Sequence, residues 1–100
     1  MERTLRYNRR TLERICRTYR VRRLDLFGSW AKGESRFGSD VDLLVDYDPD
    51  GGMTMFRFLD LEEDLKKAFP GHRVDLVSRN GLSPYLKDEI LRATRVLYEQ

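Results

Sequence analysis

The stretch Gly28-Ser29-Trp30-Ala31-Lys32-Gly33, followed after a short polar loop by Ser39-Asp40-Val41-Asp42, ends one apolar run and begins another. Before it, VRRLDLF (21–27) alternates enough to be a strand that runs straight into the Gly28-Ser29 turn, where a short helix opens through Lys32. After it, DVDLLVDY (40–47) alternates acid and apolar residues and reads as a second strand. Val41, Leu43, Val45 and Tyr47 share one face of that strand, and Asp40, Asp42, Leu44 and Asp46 share the other.

Two aspartates at i and i+2 on a strand point to the same side, with backbone positions about 6.6 Å apart at a rise of roughly 3.3 Å per residue. The carboxylates of Asp40 and Asp42 can therefore converge on one ion. Bare carboxylates facing the same way repel, which favours a cation between them, and hard oxygen ligands favour magnesium or manganese. Magnesium keeps positions open for phosphate oxygens, and two-ion sites stabilise both the attacking and leaving oxygens of an in-line displacement. Such a site calls for a third carboxylate. Asp75, flanked by Val74, Leu76 and Val77 in RVDLVS (73–78), is the best-placed supplier, since a lone acid in an apolar strand costs free energy unless something there uses it. From the other side, Gly28 leaves room for a phosphate, and Ser29 adds a hydroxyl to backbone N–H groups at a helix start. Read alone, Ser29 is equally a helix N-cap.

Outward from this centre, Leu5, Leu12, Ile15, Cys16 and Tyr19 fall at helical spacing with arginines between them, an amphipathic first helix. After the turn DPDGG (48–52), Phe58, Leu61, Leu65 and Phe69 mark one stripe of a second long helix that Pro70-Gly71 ends. RVDLVS is the third strand. RNGLSP (79–84) is a loop with Ser83 placed to cap a final helix and Pro84 at its first position, and that helix carries Leu86, Ile90, Ala93 and Leu97 inward. The expected fold is thus of mixed α/β (α+β) class, a small mixed sheet of three strands packed with helices in a single domain over 1–100.

One hundred residues bury one modest core and leave no room for separate substrate-handling domains. With 40% hydrophobic and 36% charged residues, the chain is a folded, strongly solvated domain. Its single cysteine, Cys16, forms neither an internal disulfide nor a cysteine-based zinc site, and is expected to pack on the first helix. No apolar run approaches the ~20 residues of a membrane span, and the N-terminus lacks the apolar stretch of a secretory signal, so a reducing cytoplasm is the default compartment. The net charge of +2 hides a split. Residues 1–23 hold nine arginines against Glu2 and Glu13, a net +7, leaving ten bases against fifteen acids, a net −5. Such asymmetry points to an anionic partner, an acidic functional centre, or both. His72 has no partner at ligand spacing and reads as a loop residue, and Trp30 and Phe37, which flank the phosphate loop and could stack on a base, read more readily as packing against the sheet.

In GSWAKGESRFGSDVDLLV (28–45) with RVDLVS (73–78), the chain resembles the minimal nucleotidyltransferases (MNT) of the DNA polymerase beta superfamily. Their pattern is Gly-Ser, a short helix, Asp-x-Asp on the next strand and a third acid on a later one. The closing segment LSPYLKDEILRATRVLYE (82–99) is similar to that family as well. The resemblance implies the polymerase beta-like palm fold, with Gly28 and Ser29 holding a triphosphate, joined by Lys32, which stands where the family's Gly-Ser-x-Ala-Arg-Gly run has arginine. That change keeps the charge and removes any bidentate contact. Asp40 and Asp42 are implied to bind the metal ions, magnesium or manganese and two in number, and Asp75 to complete the metal site and help activate the attacking hydroxyl.

The implied activity is transfer of AMP from ATP to a hydroxyl with release of pyrophosphate, mainly by positioning and charge neutralisation. The resemblance also implies a partner, since minimal members are typically antitoxins paired with a HEPN-domain toxin, a helical ribonuclease, and some add AMP to a tyrosine near its active site. Two further readings stand beside it. One is a binding module that neutralises the HEPN partner by stoichiometric contact, against which the intact Gly28, Ser29, Asp40, Asp42 and Asp75 count. The other is RNA binding, or nucleotide transfer onto RNA, through the arginine-rich first helix, which would fall steeply with salt.

Overall fold

The computed structural model describes residues 5–33, 40–79 and 84–100. Helix α1 (Arg9–Thr18) leads into strand β1 (Val21–Phe27) and the one-turn helix α2 (Ser29–Lys32), followed by β2 (Val41–Tyr47) and α3 (Met55–Leu65). A 3-10 turn over Lys66–Ala68 extends α3, after which come β3 (Val74–Ser78), α4 (Pro84–Leu91) and β4 (Arg95–Glu99). The strands form one sheet in the order β3-β2-β1-β4. β1 pairs antiparallel with both β2 and β4, whereas β2 and β3 run parallel, a pairing that needs a crossover, supplied by α3. This is the mixed sheet with helices that the alternation of apolar runs predicts.

The pleat of β2 separates the two faces as expected. Val41, Leu43 and Val45 are buried with Leu24 and Leu26 of β1 and Val74 and Leu76 of β3. Leu12, Ile15 and Cys16 from α1 and Leu61, Leu65, Ala68 and Phe69 from the α3 segment close this layer. Cys16 is fully buried there, which pushes its thiol up to about 12 and leaves it unreactive.

Two boundaries depart from the sequence reading. The first helix begins at Arg9 because Asn8 caps it, its side chain accepting the Thr11 N–H at 3.1 Å, and Leu5 precedes the helix as a half-buried residue on the core. More consequentially, the last helix does not continue through Leu97. It stops at Leu91, and Arg95–Glu99 forms a fourth strand along β1. Ile90, Ala93 and Leu97 do fit a helical spacing, but without β4 the inner strand β1 would have an unpaired row of backbone groups along its second edge. The run Val96-Leu97-Tyr98 has the β-branched and aromatic character that suits that place. Ser83, expected as the cap of α4, and Phe37 lie outside the described residues.

The β3 edge is blunted by a side chain: Glu62 of α3 accepts the Leu76 N–H at 3.0 Å. The turn after β2 is an Asx type, with Asp48 Oδ1 accepting the Asp50 N–H at 2.9 Å. Among the described residues no helix is long and apolar enough to cross a membrane.

Helices α1 and α3 are tied by a polar contact over the core. The Tyr19 hydroxyl donates to Asp64 Oδ2 at 2.6 Å, and the Arg57 guanidinium stacks 4.7 Å from the Tyr19 ring centroid while donating to the Thr18 carbonyl at 2.9 Å. The bond to Tyr19 holds the Asp64 carboxyl below its usual range and pushes the phenol up to about 12. A lowered carboxyl contributes stability that is present above its unfolded pKa and lost as pH falls through the folded one. Tyr19→Phe should therefore cost about 1 kcal/mol at pH 7, the low end for a bond to a charged group because Asp64 is partly solvated. The deficit should fade at pH 3, as urea unfolding of both proteins will show.

Candidate active site

The face of the sheet opposite α1 and α3 carries the aspartates. Strand alternation places Asp42 there, and the parallel register sets Asp75 of β3 directly beside it. On its other side Asp42 is the register partner of Phe27, the last residue of β1, so the turn that follows β1 falls against the Asp42 side chain. That turn is Gly28, with φ 74° and ψ −150°, a conformation essentially reserved to glycine. A methyl group on its Cα would overlap a carboxylate oxygen of Asp42. The Gly28 backbone thus lies flush with the carboxylate.

Gly28 occupies the N-cap position of α2 and Ser29 its first helical position, so Ser29 is not the capping residue. Lys32 is the last residue of the same helix. Beneath this turn Trp30 is buried in the core, its ring edge-on to His72 at 5.4 Å between centroids. Trp30 therefore packs as expected. His72 lies in the loop before β3, as expected, and its ring packs edge-on against Trp30.

Asp40, just before β2, is exposed, as is Asp75, while Asp42 is half-buried. Burial raises the Asp42 carboxyl above its usual range, and the negative charges of Asp75 and Asp40 raise it further. Asp75 and Asp40 are thus both close enough to act electrostatically on Asp42. Among the described residues, however, no three such side chains are already gathered at metal-holding spacing.

The desolvation argument for Asp75 does not hold, since its side chain reaches solvent from an edge strand. It applies instead to Asp25, which sequence reasoning passed over. Asp25 lies in the apolar alternation of β1, is 2% exposed, and is gripped by Arg23 Nε at 2.9 Å and 3.0 Å to its two oxygens. Its register partner Leu44, placed by its sequence position on the acidic face, is equally buried. The criterion of a lone acid within an apolar strand would have found Asp25, and its use is an ion pair.

A carboxyl raised above its unfolded pKa favours the protonated state on folding, so its cost is absent in acid and fully present above the folded pKa. In metal-free buffer at pH 7.5, Asp42→Asn should accordingly raise the melting temperature by about 2–4 °C, an increase that vanishes at pH 3.5. Gly28→Ala should act oppositely. Strain and the overlap with Asp42 should destabilise the fold by about 1–3 kcal/mol, measured by urea unfolding, and Gly28→Ala combined with Asp42→Gly should recover part of that loss.

A family model for Polymerase beta, Nucleotidyltransferase matches residues 10–100. The protein adenylyltransferase MntA of Thermococcus cleftensis is 40% identical over 72 residues, spanning 72% of this chain and 70% of that protein. Among solved structures, a toxin-antitoxin complex with AMP-PNP aligns at a TM-score of 0.73 and 22% identity, covering 93% of this chain and 74% of that one. A structure of the tri-AMPylated Shewanella oneidensis HEPN toxin with MNT antitoxin aligns at 0.63 and 19%, with the same coverage. At these identities the structures speak to the fold alone. The match across nearly the whole chain, the identity to MntA and the Gly28–Asp42–Asp75 geometry agree: the chain belongs to the polymerase beta nucleotidyltransferase family and is a minimal nucleotidyltransferase of the protein-adenylyltransferase kind.

Proposed function

We propose that this chain is the antitoxin of a HEPN ribonuclease toxin and silences it by transferring AMP from ATP to a tyrosine hydroxyl, in the cytoplasm. The observation that carries the reading is the half-buried Asp42, pressed by the Gly28 backbone on one side and in register with Asp75 on the other. A binding module has no use for such a costly acidic centre. The names of the relatives support the partner: MntA is a protein adenylyltransferase, and the Shewanella toxin is AMPylated in complex with its MNT antitoxin.

The all-oxygen donor set and the mutual repulsion at Asp42 fit a hard divalent cation. Asp40, Asp42 and Asp75 would hold magnesium or manganese, two ions in number, whose charge offsets that of the triphosphate and of the departing pyrophosphate. The Gly28-Ser29 turn, with no side chain at Gly28 to obstruct it and with Lys32 on the same helix, binds the triphosphate. Asp75, solvent-reachable at the sheet edge, receives the proton of the acceptor hydroxyl. The hydroxyl oxygen then bonds to the α-phosphorus as the bond to the bridging oxygen breaks and pyrophosphate leaves.

The geometry disfavours RNA as the acceptor through α1, because that helix packs on the opposite face of the sheet from the aspartates. Incubating the chain with a HEPN-domain toxin that it is found to bind, magnesium and ATP, then weighing both intact chains, should show AMP on the toxin. Asp42→Asn should slow adduct formation by about 10²–10³-fold. Full neutralisation by that variant with no adduct would establish the stoichiometric binder instead.

A further inference from the structure

Helix α3 is apolar on two sides. Its inner stripe, Leu61 and Leu65 with Phe58 packed beside them, belongs to the core. Its outer side begins with Met55, Phe56 and Leu59, which are 80%, 81% and 55% exposed. These are three of the four large exposed hydrophobic side chains among the described residues, in a chain that is 36% charged. At positions i, i+1 and i+4 they form one contiguous ridge. Beside the ridge lies a groove of about 290 Å³ between the start of α3 and the ends of β2 and β3, lined by Tyr47, Met53, Thr54, Met55, Phe58 and Ser78. A helix that is apolar on both faces is normally covered on both.

The charges around the ridge indicate what covers it. Asp60 lies one turn beyond Phe56 and Glu63 one turn beyond Leu59, while Asp48 and Asp50 stand on the turn that precedes the helix. Of these, Asp48 is shared with Arg22 and Glu63 with Lys66, through pairs open to solvent that neutralise little. Arg57, the cation within α3, turns away from this side toward Tyr19 and Thr18. Arg20 lies against the turn at Gly51, but along α3 itself the ridge is framed by acids. A second copy would set one acidic frame against another, and an anionic lipid surface would be repelled.

We infer that the outer face of α3, with its neighbouring groove, docks a partner protein through an amphipathic helix whose apolar ridge is flanked by lysine or arginine. This deepens the partner side of the proposed function and rests on that reading. The surface lies at the end of β2 and β3 remote from Asp42 and Asp75, and on the opposite layer, so docking and chemistry are separable.

The test uses two fluorescein-labelled helical peptides of about 18 residues, five turns, one of leucine and lysine and one of leucine and glutamate, followed by fluorescence anisotropy. The lysine peptide should bind the wild-type chain and the glutamate peptide should bind at least tenfold more weakly. Phe56→Ser with Leu59→Ser should weaken the lysine peptide tenfold or more while leaving the melting temperature within a few degrees, since both side chains are mostly exposed. Asp60→Lys should weaken it about threefold with the ridge untouched. Asp42→Asn should bind it like wild type, so absence of an adduct in the toxin experiment would count against the enzyme reading and not against this surface. Equal binding of both peptides, or unchanged binding by the double serine variant, would overturn the inference. So would self-association of the chain, or binding to phosphatidylglycerol vesicles, that the double serine variant abolishes.

Discussion

The flush contact between the Gly28 backbone and the Asp42 carboxylate is the constraint on which the remaining arrangement depends. It exists only because β1 and β2 pair in a register that sets Phe27 opposite Asp42, so that the chain leaving β1 turns immediately over the acid. A shift of one residue would send Asp42 into the hydrophobic layer and bring Leu43 out, exchanging every side chain between faces. The apolar partners Val41, Leu43 and Val45, all fully buried, therefore hold the register with their burial, and the site inherits its geometry from the core. β3 extends the same logic, because a parallel strand in register with β2 brings Asp75 beside Asp42.

The division of charge along the chain becomes a division in space. The arginines of α1 lie on the helical layer, and the acids of β2 and β3 lie on the other face of the sheet. Opposite charges are thereby kept from neutralising one another across the site. Burial of Asp42 and the negative charges of its acidic neighbours together raise its carboxyl. Asp25 shows the contrast. It is more deeply buried than Asp42, yet Arg23 satisfies both its oxygens, so it serves the fold.

Strands β1 to β3 and the two long helices could be read from periodicity, because each buries one face and the alternation or stripe records which. The same rule misled at the C-terminus, where Ile90, Ala93 and Leu97 satisfy a helical spacing although Arg95–Glu99 is a strand. Val96, Leu97 and Tyr98 are consecutive and carry neither period by themselves, so the choice rested on an unpaired edge of β1 that lies about seventy residues earlier in the chain. Asp75 was singled out on a premise that its exposure contradicts, and Asp25, to which the premise applied, was passed over. Burial is a property of the assembled sheet, and an edge strand leaves open what an inner strand encloses.

By itself the sequence determined the order of the parts: a Gly-Ser turn, an Asp-x-Asp strand and a later acid, with enough alternation to assign faces. Those are local properties, set by the pleat and by the conformations glycine alone adopts. Tertiary structure decided which acids meet, that Asp40 stays exposed while Asp42 is raised, that the arginines of α1 lie behind the sheet, and that Met55, Phe56 and Leu59 remain outside the core. Each of these depends on contacts between residues far apart in the chain, where solvent exclusion and charge proximity are established only once the strands have paired.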